Sequence, residues 1–407
     1  MGSSTRPGHG RRPMMMHTRR VSEDGTALRY RMMEMAKGIK DLIALGRGDP
    51  DLDTPPHIVA AAIDAMRRGE ALHMPPPEGL FELRHAIADK LRRENDLLVD
   101  PHTEVLVTTG GQEGLFLLVQ ALVNPGDEIL MPDPRYTSYD QAINMAGGVM
   151  VSVPTYEEDG FDLRPEEVER RITPRSKLLL LISPGNPTSG VISSANKRRL
   201  AEIAQERNLL VISDEIYERF IYDDAEALSM AALPGMRERT ITLNGVSKTY
   251  AMTGFRVGYL AAPAPVIAAV RQLKITNSRA TSAISQWAAH AALSGPQECV
   301  EEMRQIYDER RRVMMAGLDE MGFVYCRPKG AFYCFPNAAS VGISAAELCY
   351  LFLEEGHVLI FPGNAFGEKW GDHLRISLLA PKERLREAVE RMQRTIAKHN
   401  LGRPRPA

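Results

Sequence analysis

The chain has 407 residues, with 50 Lys and Arg against 52 Asp and Glu, a formal net charge of -2, 44% hydrophobic and 25% charged residues. Such a length exceeds one hydrophobic core and predicts a large and a smaller domain, while the composition excludes a disordered chain and offers no basis for a nucleic-acid partner. No apolar run of about 18 residues occurs, which excludes a spanning helix, and Cys299, Cys326, Cys334 and Cys349 lack the spacing of a disulfide framework or zinc site, which points to a reducing, cytoplasmic setting.

In chain order, Met1–Arg20 is basic, with five arginines and no acid before Glu23, but it lacks the apolar run of a secretion signal. A disordered tail over residues 1–25 is expected. Residues Gly79–Asn95 set Leu80, Leu83, Ile87 and Leu91 on one helical face, behind a Pro75-Pro76-Pro77 loop. Short apolar runs then alternate with helical patterns, which predicts an α/β fold with a seven-stranded, mostly parallel sheet flanked by helices. The strands are Glu104–Thr108, Asp127–Met131, Val149–Val153, Lys177–Ser183, Leu209–Ser213, Thr240–Asn244 and Val257–Ala261. Gln112–Val123 and Ser194–Arg207 have helical spacing, the second capped by Ser193 or Ser194. From Pro296 the pattern turns to longer helices with fewer strands, a smaller α+β domain that closes on Pro381–His399.

Ligands of open α/β sheets bind beyond the carboxyl ends of the strands, so the residues following each strand form the test for a site. Gly110-Gly111-Gln112 opens a helix, where bare N–H groups attract an anion. Tyr136 lies in the turn Asp133-Pro-Arg-Tyr and is suited to stack on a flat heterocycle. Asn186 is fixed between Gly185 and Pro187, which aims one amide, and the fifth strand delivers Asp214, followed by Glu215 and Tyr217. An aspartate beside a pyridine nitrogen keeps that nitrogen protonated. The sixth strand leads through Ser247 to Lys248, with Arg256 eight positions on, and Arg375 lies in the strand-like Leu374–Ser377. A desolvated lysine amine forms a Schiff base with an aldehyde, and guanidinium groups clamp phosphate or carboxylate. Each residue alone has an ordinary structural explanation, a packed loop tyrosine or a strand-end ion pair. Their joint order at successive strand ends suits pyridoxal 5'-phosphate.

The motifs Gly48-Asp-Pro-Asp-Leu-Asp-Thr-Pro55, Gly185-Asn-Pro-Thr188, Asp214-Glu-Ile-Tyr217 and Ser247-Lys-Thr-Tyr-Ala-Met-Thr-Gly-Phe-Arg256 resemble those of the fold-type I, class I/II pyridoxal-phosphate aminotransferases, near the prokaryotic-type aspartate aminotransferases. The resemblance spans about residues 40 to 400. It implies that Lys248 carries the cofactor and moves the substrate α-proton, that Asp214 pairs with the ring nitrogen, and that Asn186 and Tyr217 bond the ring hydroxyl oxygen while Tyr136 stacks. By the same resemblance Gly111, Gln112 and Arg256 hold the phosphate, Gly110 and Ser247 belong to the cofactor-binding set, and Gly48, Asn186 and Arg375 hold the substrate carboxylate. It also implies a homodimer with shared active sites, an N-terminal segment over 26–52 packing with the small domain, a cofactor-binding domain over 53–290 and a small domain over 291–407.

The chain departs from the family pattern in having His73-Met74 where a tyrosine often reaches the partner's phosphate, Gly245 three residues before the lysine, and a lengthened Asn186-Pro-Thr-Ser-Gly190. Arg279 stands where relatives carry small polar residues, and is a candidate receptor for a distal substrate carboxylate; an ordinary surface ion pair is the alternative. The expected activity is ping-pong transfer of an amino group from an L-amino acid to a 2-oxo acid. The alternatives are β-elimination from a sulfur amino acid on the same cofactor, and a non-catalytic ligand-binding protein.

Overall fold

The computed structural model describes residues 26–402, so the tail expected over residues 1–25 lies outside the described residues. All seven expected strands form, with ends displaced by no more than two residues: β1 (Val105–Thr108), β2 (Glu128–Asp133), β3 (Val149–Pro154), β4 (Ser176–Ile182), β5 (Leu210–Asp214), β6 (Thr240–Gly245) and β7 (Gly258–Ala261). Their order is β1-β7-β6-β5-β4-β2-β3, with β7 antiparallel to both neighbours and every other pair parallel.

The leucine run of β4 shows why this sheet is covered on both faces. Leu178 and Leu180 pack with Leu115 and Leu118 of the helix Gly110–Leu122, whereas Leu179 and Leu181 pack with Leu200, Ala201 and Ala204 of the helix Ser194–Glu206. Strand alternation sends successive side chains to opposite faces, so a continuous apolar run is what a doubly covered strand requires. The second of these helices is capped by Ser193, whose hydroxyl accepts the Asn196 N–H at 3.2 Å. Register sets Ile182 beside Asp214 and Asp214 beside Leu243, so the ends of β4, β5 and β6 open at one level.

The smaller α+β unit holds an antiparallel sheet of Phe361–Pro362, Leu374–Ser377 and Tyr333–Cys334, with the helices Glu298–Met321, Ala345–Glu354 and Lys382–Lys398. A piece of the N-terminal segment, Ile43–Ala44, pairs in parallel with Val358–Leu359. Met32, Ile43 and Leu45 share one core with Phe332, Leu348, Phe352 and Leu385. The segment therefore leaves this core directly before Gly46–Pro55 crosses toward the large sheet.

Arg311, on the long helix Glu298–Met321, is fully buried. It donates to both carboxylate oxygens of Asp223 at 2.8 and 2.9 Å and to the Pro328 carbonyl at 2.7 Å, and lies 4.7 Å from the centroid of Tyr222. These bonds tie the segment after β5 to the smaller unit. Replacing Arg311 by leucine takes one cation from Asp223, which keeps Arg327, and one from Asp308, which keeps Arg312, and leaves the buried Pro328 carbonyl without its donor; we expect a loss of about 2 kcal/mol in unfolding free energy, measured by chemical denaturation.

Candidate active site

The site lies where the ends of β5 and β6 meet the segment Gly46–Asp49 and the smaller unit. The Lys248 amine donates to the Gly48 carbonyl at 2.6 Å, a contact across 200 residues of chain. Desolvation pulls this amine down to about 8, reinforced by Arg256 and Arg375 and opposed by Asp49 and Asp214. An amine so placed is largely neutral, and hence nucleophilic, only a little above physiological pH. Gly48 admits no side chain, because a Cβ there would lie 2.6 Å from the Tyr333 hydroxyl.

Asp214 ends β5 and is buried. Burial pushes its carboxyl up to about 6, while the Tyr139 hydroxyl, which donates to Oδ2, and the Ile216 N–H, 3.1 Å from Oδ1, restrain that rise. The group is therefore predominantly anionic at neutral pH in a setting that favours a cationic partner.

Arg375 lies between two aromatic faces, 4.9 Å from the Tyr333 centroid and 4.5 Å from that of Phe366. It donates to Asn186 Oδ1 at 3.3 Å and to the Gly46 carbonyl at 2.5 Å. Tyr217 and Tyr333 share a hydroxyl hydrogen bond of 3.1 Å. The rings fix the guanidinium plane, and its partners anchor it to β4's exit loop and to the N-terminal segment, an arrangement suited to bidentate capture of a carboxylate.

At the other end, Gly110 begins the helix Gly110–Leu122 with φ +74°, and a Cβ there would fall 2.6 Å from Arg256 Nη2. Arg256 is itself left-handed at φ 55° and donates to the Thr253 carbonyl at 3.1 Å. The bare backbone thus brings an arginine onto a helix N-terminus, whose first N–H groups lack partners within the helix. The donor set fits pyridoxal phosphate: a depressed amine for the aldehyde, a buried carboxylate for the ring nitrogen, and amides with a guanidinium for the phosphate.

The structure thus draws together Lys248 with Gly48, Arg375 with Asn186, and Arg256 with Gly110. Tyr136 lies beside Tyr139, with ring centroids 6.2 Å apart and edge to face, and Ser247 is buried next to Lys248. Gln112 is exposed on the first turn of its helix. Arg279 is exposed in the turn after the helix Ala264–Asn277, at φ 65°, with its N–H bonded to the Lys274 carbonyl at 2.9 Å. Sequence reasoning missed Tyr139, Tyr333 and Phe366. Tyr139 had one available signal, its place three residues after Tyr136, in the first turn of the helix Ser138–Ala146 that follows the turn. Tyr333 and Phe366 had none, since an aromatic residue in a buried apolar stretch reads as core.

The family model for aminotransferase class I and II matches residues 40–392. The chain is 42% identical over 373 residues to an aspartate aminotransferase of Pyrococcus abyssi, and 39% identical over 373 residues to the aromatic-amino-acid aminotransferase 2 of Thermococcus litoralis, covering in each case 91% of this chain and 96% of the relative. The crystal structure of an aromatic aminotransferase from Pyrococcus horikoshii matches with a TM-score of 0.86 at 42% identity, over 92% of this chain and 100% of the other. The chain belongs to the class I and II aminotransferases, as the fold and the lysine, aspartate and arginine set had indicated. It is a pyridoxal-phosphate-dependent enzyme that transfers an amino group from an amino acid to a 2-oxo acid.

Because Tyr139 holds the Asp214 carboxyl down, Tyr139→Phe should move the acidic limb of the kcat/KM profile upward by about one pH unit and lower kcat/KM near pH 6 about fivefold. Capture of added cofactor by Lys248 in the cofactor-free protein should rise with pH about a midpoint near 8, followed by absorbance; a midpoint above 10 would contradict the environment described.

Proposed function

We propose that Lys248, Asp214, Asn186, Tyr217, Arg256 and Arg375 are the working residues of this aminotransferase, and that its amino donor is an acidic amino acid. The observation that carries the assignment is the seating of the Lys248 amine on the Gly48 carbonyl, two residues from the Gly46 carbonyl that anchors Arg375. That spacing aims the proton-transferring amine and the carboxylate-gripping guanidinium at one substrate α-carbon. Pyridoxal phosphate supplies an aldehyde for the amino group and a ring that takes up electron density from the α-carbon.

Around that chemistry, Arg375 grips the α-carboxylate, with Asn186 holding its guanidinium in plane. Lys248 takes the proton from the α-carbon and returns it on the cofactor side, a task for which an amine titrating near 8 is suited. Asp214 supplies the negative charge that keeps the ring nitrogen protonated. Tyr217 directs its hydroxyl to the ring oxygen, and Tyr136 covers a ring face. Gly110, Gly111, Gln112, Ser247 and Arg256 hold the phosphate.

The acidic donor is supported by relatives named aspartate aminotransferases, and by Arg279, an exposed guanidinium near the end of a helix that packs beside the phosphate helix. A shared dimer site would let Arg279 reach a distal carboxylate across the interface. The homodimer is supported by an apolar stripe on the helix Pro56–Arg67: Val59, Ile63 and Met66 are exposed at i, i+4 and i+7, with Leu72 and Met74 exposed beyond it. A second copy that covers this stripe would remove an otherwise solvated apolar patch. All four cysteines are unpaired thiols, which supports a reducing cytoplasm.

The test is a half-reaction spectrum: aspartate, glutamate, phenylalanine or tyrosine is added to the cofactor-loaded protein without an oxo acid. We expect aspartate or glutamate to bleach the lysine-bound cofactor band fastest, with 2-oxoglutarate restoring it, and Arg279→Ala to slow only the acidic donors, by about tenfold. Faster reaction with phenylalanine would replace the acidic donor by an aromatic one. Lys248→Ala should abolish turnover and the band; covalently held cofactor in that variant would overturn its role.

A further inference from the structure

Beneath the phosphate helix lies an ion pair that none of the steps above uses. Lys274, on the helix Ala264–Asn277, is fully buried. Its Nζ donates to Glu113 Oε2 at 2.8 Å, to Ser278 Oγ at 3.1 Å and to Thr281 Oγ1 at 3.3 Å, so all three of its protons have acceptors. Glu113 sits in the first turn of the helix Gly110–Leu122, with only 8% of its side chain exposed. The same Glu113 oxygen accepts the backbone N–H of Thr109, the residue capping that helix, at 2.6 Å. Thr109 Oγ1 in turn lies 3.3 Å from Thr281 Oγ1. The ring of contacts therefore closes through Lys274, Glu113, Thr109 and Thr281.

The location of Glu113 poses an electrostatic problem. A carboxylate in the first turn favours the helix dipole, but it competes with any second anion drawn to the same N-terminus. A phosphate at the N–H groups of Gly110–Gln112 would lie within about one helical turn of a buried, hydrogen-bonded carboxylate, where screening by water is weak. Burial works against the Glu113 charge, yet its bonds to Lys274, Ser278 and Thr109 hold it below the usual carboxylate value, so it stays ionised. Lys274 is the nearest compensating cation among its bonded partners, and it also fixes the turn that carries Arg279.

We propose that Lys274 is a positioning residue for the cofactor phosphate: it neutralises Glu113 and locks the Thr109 cap, so that the N-terminus of the helix Gly110–Leu122 receives the phosphate without opposition. This rests on the reading that Gly110–Gln112 and Arg256 hold the phosphate. Lys274 touches neither the cofactor nor the substrate; it acts through Glu113 and Thr109.

Full-length cofactor-free protein is titrated with pyridoxal phosphate and, separately, with phosphate-free pyridoxal, and lysine-bound absorbance is read for the wild type, Lys274→Met, Glu113→Gln and the double variant. Lys274→Met should raise the Kd for pyridoxal phosphate on the order of tenfold or more while changing that for pyridoxal by less than about twofold. Removing the carboxylate as well should restore the affinity for pyridoxal phosphate to near the wild-type value. Unchanged affinity in Lys274→Met, equal weakening of both ligands, or failure of the double variant to recover would each overturn the proposal, leaving the pair as a brace between two helices. Should Lys274→Met not fold, Glu113→Gln decides alone: it should bind pyridoxal phosphate at least as tightly as the wild type, and weaker binding confined to that ligand would refute the charge argument. If wild-type protein binds both ligands equally, the phosphate assignment itself fails, a result separate from any effect of Lys274.

Discussion

The seating of the Lys248 amine on the Gly48 carbonyl at 2.6 Å is the contact on which the rest of the site depends. A lysine with a partly desolvated amine must find an acceptor or lose its charge, and the available acceptor belongs to a segment that starts in the core of the smaller unit. Two residues earlier in that segment, the Gly46 carbonyl takes a hydrogen bond from Arg375. Two backbone carbonyls thus link the end of β6, the N-terminal segment and the strand Leu374–Ser377. Side chains at Gly46 or Gly48 would collide with Phe361 or the Tyr333 hydroxyl, so the close approach of this backbone is available only to glycine.

The charges around this contact are arranged by burial and neighbours. Desolvation lowers Lys248 to about 8 and raises Asp214 to about 6, so at neutral pH the two groups sit near the ends of their titrations rather than far outside them. Two titratable groups whose environments bring their pKa values toward neutrality are a recurrent feature of catalytic centres. The Tyr139 hydroxyl and the Ile216 N–H limit the rise at Asp214, and the two arginines deepen the fall at Lys248. Behind this set, the buried pair of Lys274 and Glu113 balances charge at the first turn of the helix Gly110–Leu122.

Strand ends and site residues were legible in the sequence to different degrees. The seven strands were readable because each is a short apolar run closed by a turn residue, and the run of β4 carried the two-faced burial in its leucines. The antiparallel placing of β7 between β1 and β6 left no mark in its residues, since the run Gly258–Ala261 is apolar in either direction. Asp214, Lys248 and Asn186 stood out because each is polar at the carboxyl end of an apolar strand or pinned between glycine and proline. Tyr139 was not legible as a partner of Asp214, because 75 residues separate them and a tyrosine on an apolar helix face reads as core.

Local periodicity and motif spacing are properties of neighbours along the chain, and they suffice to read the strand and helix set, the order in which amine, carboxylate, amide and guanidinium leave the sheet, and the family to which they belong. What each of those groups touches emerges in the folded chain alone: Lys248 on Gly48, Arg375 between Tyr333 and Phe366, Lys274 on Glu113. Those pairings join residues tens to hundreds of positions apart, and a shifted pKa or a fixed guanidinium plane follows from burial and from the identity of the spatial neighbour, neither of which the chain order encodes locally.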